Sequence, residues 1–324
     1  MYSFSRKGAL MTKKREHRNI VIIGAGMAGL TAALYAGRMN FSVLVLENGI
    51  IGGQIANATG IENYPGFEKI AGSELIANLQ KQAENFGAVV DEFDPIQKVT
   101  LNATPKIIET DEHIYEADVV IIASGMTRRK LPLPEEPRYA NKGVHYCELC
   151  DGHMYQDKII AVMGGGNAAV DAANFLTKYA KKLYLINRSQ LRADEVSQKR
   201  LKENGKVEVM LNMEIKGLSG QDRLESIELW DKNNGQKYSL AVDGLFVNIG
   251  VDPNTELFET ELGLNGGRIP AGEDCRTKIP GVFAAGDIRE KEIRQLTTAA
   301  ADGTTAALLA EKYINGLKGG KTEW

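Results

Sequence analysis

The sequence predicts an α/β fold made of two similar domains, because one pattern occurs in it twice. "NIVIIGAGMAGLTAALYAGR" begins at Asn19 and "KIIAVMGGGNAAVDAANFLTKYA" at Lys158. Each reads as an apolar strand, a glycine turn and an alanine-rich helix. Their first glycines, Gly24 and Gly164, lie 140 residues apart, one domain's length of chain rather than the period of a short repeat. The 324 residues are 43% hydrophobic and 25% charged, an ordinary globular balance with room for two domains. Both units have the layout of Rossmann-like dinucleotide-binding domains.

The remaining elements follow in order. Residues 1 to 18, "MYSFSRKGALMTKKREHR", are basic and contain a second methionine, Met11. They lack the apolar core of a secretory signal and are expected to form a poorly ordered tail. Ile20 to Ala36 is apolar, but its glycines fit a buried strand and helix better than a membrane span. "SVLVLE" (Ser42 to Glu47) is a short strand. "SELIANLQKQAENFG" puts Leu75, Leu79, Ala83 and Phe86 on one helical face, with Ser73 as N-cap and Gly87 as stop. "ADVVIIASG" (Ala117 to Gly125) is a buried strand, and "LPLPEEP" (Leu131 to Pro137) a linker. "VEVML", "LESIELW" and "DGLFVNIG" are strands of the second domain, and "GVDPNTE" (Gly250 to Glu256) is the return linker. "IPGVFAAGDI" (Ile279 to Ile288) is a strand running into a glycine–aspartate turn, with a long helix from about Gln295.

Composition excludes several function classes. The net charge of −3 and pI near 5.9 suggest neither a nucleic-acid partner nor a membrane surface. Three cysteines are too few for a secreted disulfide scaffold, which points to a reducing cytoplasm.

The chemistry sits in three motifs. Gly24-x-Gly26-x-x-Gly29 follows a strand and opens a helix, so that backbone amides and the helix N-terminus meet a pyrophosphate. Glu47 ends the next strand, 18 residues past Gly29, where an acid suits a ribose hydroxyl. Gly164-x-Gly166-x-x-Ala169 repeats the turn, but the strand after it ends in Asn187 and Arg188. A cation there, with Arg192 as a second, favours a 2′-phosphate and hence NADPH over NADH. The third motif is "HYCELCDGH", residues 145 to 153. Cys147 and Cys150 read as a reducible disulfide fed by a flavin, and Asp151 as a carboxyl able to move protons beside a leaving thiolate. Two other readings stay open: zinc held by His145, Cys147, Cys150 and His153, or two inert buried thiols. Cys275 has no partner nearby in sequence and reads as structural or incidental.

Taken together these residues resemble the low-molecular-weight thioredoxin reductase family. The resemblance runs from about Asn19 to Tyr313 and is carried by "GAGMAGLTAALYAGR", "GGQ" (Gly52 to Gln54), "IENYPG" (Ile61 to Gly66), "IIASG", "GVHYCELCDG", "GGGNAAVDAA", "GVDPNT", "PGVFAAGD" and "RQLTTAAADG" (Arg294 to Gly303). It implies two three-layer ββα domains, the second inserted into the first: an FAD domain of residues 19–128 and 257–324, and an NAD(P)H domain of residues 129–256 bearing the CxxC. It implies a homodimer whose inserted domain rotates, presenting to the flavin first the disulfide and then the nicotinamide. By position, Cys150 is the flavin-facing sulfur, Cys147 attacks the disulfide of thioredoxin, and Asp151 gives and takes the proton. FAD contacts map onto Gly24, Gly26, Met27, Ala28, Gly29, Glu47, Asn48, Gly53, Gln54, Ile55, Asn63, Gly286, Asp287, Arg294, Gln295 and Leu296. The helix after Asp287 would point its N-terminus at the flavin ring. NAD(P)H contacts map onto Gly164, Gly166, Asn167, Ala168, Arg188 and Arg192.

Three departures from the family pattern stand out. The family's NADPH signature, His-Arg-Arg followed three residues later by Arg, reads "NRSQLR" here, with Asn187 for the His and Ser189 for the second Arg. Glu148 and Leu149 fill the CxxC, where an acid would raise the pKa of the attacking thiol. Ser124 replaces the commoner Thr. The alternatives are the same disulfide chemistry fed by NADH, ferredoxin or a deazaflavin, or a dithiol oxidase using oxygen; a zinc-stapled binding module would be colourless.

Overall fold

A computed structural model describes residues 13–56, 58, 61, 63–146, 148–320 and 324. The chain begins with β1 (Lys14–Ile23), α1 (Met27–Arg38), β2 (Val43–Leu46), α2 (Gly72–Asn85) and β3 (Val89–Asp91). Three strands follow, β4 (Ile96–Thr100), β5 (Lys106–Thr110) and β6 (His113–Ile122). The connecting strand β7 (Met126–Arg128) leads to α3 (Glu136–Tyr139), β8 (Val144–His145), α4 (Glu148–Asp151), β9 (Ile159–Met163), α5 (Asn167–Leu176), β10 (Lys182–Asn187), α6 (Glu195–Glu203) and β11 (Val207–Leu211). Next come β12 (Met213–Ser219), β13 (Ser226–Asp231), β14 (Lys237–Ala241) and β15 (Gly244–Val247). The chain returns through β16 (Val251–Pro253), α7 (Glu259–Leu262) and β17 (Val282–Ala284), and then α8 (Leu296–Gly319).

These elements make two units of like construction. In the first, β3, β2, β1 and β6 lie side by side, β17 pairs with β6 in parallel, and β5 and β4 extend the sheet antiparallel. α1, α2 and α8 cover one face. The other face packs Val21, Leu44 and Val120 against Leu101, Ile108 and Phe258. Ile20 to Ile22 are wholly buried, which explains an apolar run without alternation. In the second unit the parallel sheet β11-β10-β9-β15-β8 lies between α5 and α6 on one side and the antiparallel β12-β13-β14 on the other. Residues 282 to 284 rejoin the first sheet after the second is complete, so the second unit is an insertion. The two crossings between units are β7 and β16, an antiparallel ribbon pairing Arg128 with Val251 and Met126 with Pro253. The α/β expectation of two dinucleotide-binding domains holds. Among the described residues no helix is long and apolar enough to cross a membrane.

Two sequence expectations are corrected. Residues 14 to 18 are not tail: they are the first half of β1, in register with His113 to Ala117. Their alternating charges find partners across the sheet, with Arg15 on Glu116 and His17 on Asp118, and Lys13 just before them on Glu109. Residues 1 to 12 lie outside the described residues. Ser73 is not the N-cap of α2; Ala71 is, with no side-chain cap. The start is set instead by Gly72, whose amide bonds the Ala58 carbonyl and where a Cβ would meet the Ile55 carbonyl oxygen at 1.7 Å. Gly87 does end the helix, at φ +84°. Phe86 is half exposed, and the Arg38 guanidinium lies over its ring.

A buried ion cluster ties α8 to the turn before it. Arg289 is 1% exposed and Asp302 5%. The Asp302 carboxylate accepts from Arg289 Nε and Nη2 (both 2.9 Å), Lys291 Nζ (2.8 Å) and the Gly286 amide (2.9 Å). Burial pushes this carboxyl up, but the Arg289, Lys291 and Gly286 hydrogen bonds outweigh it and hold the group below its ordinary range. Removing one partner of a buried pair strands the other charge, at a cost of about 3–5 kcal/mol. Asp302→Ala is therefore expected to lower the melting temperature sharply, whereas Lys199→Ala, which breaks an exposed i,i+4 pair with Glu203, should move it little. Because the folded carboxyl is depressed, its contribution is full above the ordinary carboxylate range and is lost as pH falls through the lowered value. Equal melting temperatures for both variants, read by circular dichroism, would refute this role for the cluster.

Candidate functional site

The first glycine turn is built by close approach. Gly24 sits at φ +108°, where a Cβ would lie 2.3 Å from the Ala123 carbonyl oxygen. Gly29 packs under the Gly24 carbonyl, at 1.8 Å from a built Cβ. Gly26, the N-cap of α1, has nothing within 4 Å of such a Cβ, and its open side faces a cavity of about 630 Å³. The end of β2 delivers Glu47 to the rim. Its carboxylate accepts the Ala25 amide (2.8 Å) and the Gly49 amide (2.7 Å), which fixes its direction.

The far wall is the turn after β17 and the start of α8. Asp287, Arg294, Gln295 and Leu296 line the cavity, together with Gly53, Gln54, Ile55, Met27, Ala28 and Gly286. Asp287 Oδ1 and Arg294 Nε are buried without a hydrogen-bond partner. Burial pushes the Asp287 carboxyl up, against the pull of Lys291 and Arg294. Burial likewise lowers the Arg294 pKa, with Arg268 adding to it. Such orphaned groups are costly unless something else bonds them. An acceptor beside ribityl-type hydroxyls and a cation beside phosphate or ring oxygens fit a bound FAD. Gln295 and Thr298 form a capping box at the α8 N-terminus, where Gln295, Leu296 and Ala299 line the cavity. Of the two expected asparagines, Asn48 uses its Oδ1 to cap the Ile96 amide, whereas Asn63 Nδ2 reaches Oε1 of the cavity-lining Gln295 at 3.3 Å. Gly24 and Gly29 shape the turn rather than line the cavity.

The second glycine turn lines a cavity of about 610 Å³. Gly164, at φ +143°, lies against the Asn248 carbonyl, and Gly166 opens α5 with free space beside it. Gly164, Gly166, Asn167, Ala168, Arg188 and Arg192 all line this cavity. Asn187 does not offer its amide to it; Nδ2 bonds the Ser189 and Gln190 carbonyls and folds the loop that carries the two arginines. Among the described residues, neither the Arg188 nor the Arg192 guanidinium has a hydrogen-bond or ion-pair partner, and both are exposed. Two free cations at the mouth of a glycine-turn cavity suit a 2′-phosphate.

Sequence reading missed Arg129 and Lys130, which add further cations to this cavity. Arg129 is paired with Asp252 across the ribbon, at 2.7 Å. It also missed Asn254, which bonds Ser124 and Thr127 and, like Tyr146, lines the first cavity. No local signal marks Arg129 or Asn254, because their partners lie 123 to 130 residues away.

The CxxC segment links β8 to the short α4. Cys147 and the side chains of Leu149 and Cys150 lie outside what is described. Asp151 ends α4, and its Oδ2 is 3.1 Å from His145 Nδ1. His145 is buried and His153 exposed. Cys275 is buried, and burial with the Asp302 charge pushes its thiol up to about 12, which leaves it unreactive.

Comparison with known proteins agrees with this geometry. Residues 18–303 match the model of the family described as pyridine nucleotide-disulphide oxidoreductase. The chain is 47% identical over 306 residues to the "34.2 kDa protein in rubredoxin operon" of Clostridium pasteurianum, covering 94% of this chain and 99% of that one. It is 38% identical to the thioredoxin reductase of Bacillus subtilis (strain 168), covering 93% and 96%. Among solved structures, the thioredoxin reductase of Lactococcus lactis in its FR conformation superposes with a TM-score of 0.79 at 35% identity, covering 92% of this chain and 99% of that one. Two glycine-turn cavities with a CxxC segment between them in sequence, in a chain with these likenesses, place the protein in the pyridine nucleotide-disulphide oxidoreductase family, enzymes that work with FAD and a nicotinamide nucleotide.

Proposed function

We propose that this chain is a thioredoxin reductase that draws electrons from NADPH, working as a homodimer in the cytoplasm. The observation that carries the reading is the pairing of two unlike cavities on one chain. One has an orphaned acid and arginine suited to FAD, the other free cations suited to a 2′-phosphate, and a CxxC segment lies between them in sequence. On this reading residues 19–128 and 257–324 hold FAD, and residues 129–256 hold the nucleotide and the redox pair.

When bound, FAD supplies the two-electron carrier that side chains lack. The protein's own work is the exchange. Cys147, as thiolate, attacks one sulfur of the thioredoxin disulfide; that S–S bond breaks and a mixed disulfide forms. Cys150 then attacks the Cys147 sulfur, restoring the Cys147–Cys150 disulfide and releasing reduced thioredoxin. Asp151 holds the proton that the leaving thiolate takes up. Glu47, Asp287 and Arg294 would bind and orient the flavin dinucleotide. Arg188 and Arg192 would hold the adenosine phosphate. Ser189 in place of an arginine removes one contact, so the preference for NADPH should be weaker than three cations would give.

The decisive assay is thioredoxin-dependent NADPH oxidation under anaerobic conditions. A dithiol oxidase would need oxygen and would be silent. Cys147→Ser and Cys150→Ser are each expected to abolish thioredoxin reduction while NADPH still reduces the bound flavin, followed by rapid-mixing absorbance. Near-normal turnover by either variant would sink the relay.

A hydrogen bond to a charged group contributes roughly 1.5–3 kcal/mol, about tenfold or more in affinity. Arg188→Ala should therefore raise the KM for NADPH by about tenfold and barely change that for NADH. An equal effect on both nucleotides, or a wild type that prefers NADH, would overturn this assignment.

A further inference from the structure

His145 is 2% exposed, and its environment is built for orientation. It ends β8, opposite Phe246 on β15, and the two rings stack at 5.4 Å. Tyr155 closes the cluster edge-on to both rings. Tyr155 takes the space a side chain at Gly244 would need: a Cβ there would lie 2.3 Å from the tyrosine ring. The imidazole therefore has little freedom to turn.

Its two nitrogens face different groups. Nε2 is 2.6 Å from the Tyr155 hydroxyl. Nδ1 is 3.1 Å from Asp151 Oδ2, within ion-pair reach but off the line of a hydrogen bond, so this buried nitrogen has no aligned partner among the described residues. A histidine that merely fills a core would have both nitrogens satisfied. Burial pushes the Tyr155 hydroxyl up to about 12, opposed by the Arg223 guanidinium beside it and reinforced by Asp151 and Asp243. The phenol thus stays protonated. With the Arg223 guanidinium beside its oxygen, its own hydrogen goes to Nε2, so the imidazole's N–H sits on Nδ1, facing Asp151.

We propose that His145 is a positioning residue for Asp151: Tyr155 fixes its Nδ1–H tautomer, and that N–H holds one carboxylate oxygen while the other stays free to exchange a proton with the redox sulfurs. This rests on the reading of Asp151 as the proton donor of a disulfide reductase. The misaligned contact fits a resting state, since such hydrogen bonds tighten in the reacting complex. Among the described residues, the titratable and charged groups facing the pair are Tyr155, Arg223 and Asp243. A lost Nδ1–H would remove a hydrogen bond that favours the charged form of Asp151.

The test uses the FAD-loaded enzyme with thioredoxin, at saturating NADPH across the pH range. His145→Gln keeps an amide where Nε2 lies and loses the donor to Asp151; His145→Asn keeps a donor near Nδ1. His145→Gln is expected to lower kcat about tenfold, leave the KM for thioredoxin unchanged and shift to higher pH the alkaline limb, on which a proton donor loses its proton. His145→Asn should recover most of the loss. The double variant His145→Gln/Asp151→Asn should be no slower than Asp151→Asn alone. Equal defects in the Gln and Asn variants, fully additive losses, or an unshifted profile would overturn the proposal. A wild type that reduces no disulfide would instead refute the reductase reading. ¹⁵N-histidine NMR of the wild type is independent of activity: a proton on His145 Nε2 rather than Nδ1 refutes the inference even then.

Discussion

The geometry of the first cavity depends on one buried carboxylate. Asp302 lies on α8, yet it bonds the Gly286 amide in the turn before that helix. Through Arg289 it also reaches the Ala271 carbonyl and Glu273, so a single cluster clamps three separate stretches of chain. Asp287 follows Gly286 directly and lines the cavity with one carboxyl oxygen unpaired, so the clamp on Gly286 anchors the backbone that presents this acid. A rigid, desolvated acid is what a multi-hydroxyl ligand needs, and it is unfavourable to build without such support. Close packing adds to the clamp. Gly303, next to Asp302, lies so near Ala28 on α1 that a Cβ would sit 2.2 Å from its carbonyl oxygen. The two helices flanking the first cavity therefore have no room to shift against each other.

The two cavities use the same turn for different ends. In the first, the acid after the strand is Glu47, steadied by two amides of its own loop. In the second, the corresponding position is Asn187, whose amide is consumed in folding the loop. The cations follow on that loop and stay free. One backbone device thus carries opposite charge at its rim, which separates a ribose hydroxyl from a phosphate as ligand.

Much of this was legible in the sequence because the signals are local. Glycine turns, the acid at the end of β2 and the CxxC segment are each written within about twenty residues. What was not legible depends on distant pairing. The charged start of β1 has no apolar face of its own and reads as tail; its partners are about a hundred residues on, as with Arg15 and Glu116. The Arg129–Asp252 pair and the Asn254 bridge exist only once the ribbon has formed. From its place beside two cysteines, His145 reads as a candidate metal ligand. Its role as Asp151's neighbour needs Tyr155 and Phe246, brought in by β15 and the turn after α4. The start of α2 was misplaced for a similar reason: Ser73 carries the usual cap chemistry, but the contact of Gly72 with the loop at Ile55 and Ala58 fixes the first turn.

The return of β17 to β6 has a consequence for how the chain is made. The last three residues of β6, Val120 to Ile122, pair with residues 282 to 284. The whole inserted unit is synthesised between them. On the ribosome the inserted unit can close while the first sheet still presents a bare parallel edge of valine and isoleucine. Such an edge is an open template for a stray strand. The order of synthesis therefore makes the outer domain, though first in sequence, the last to be completed, and leaves its safety in the meantime to the speed with which the inserted unit folds and the remaining chain emerges.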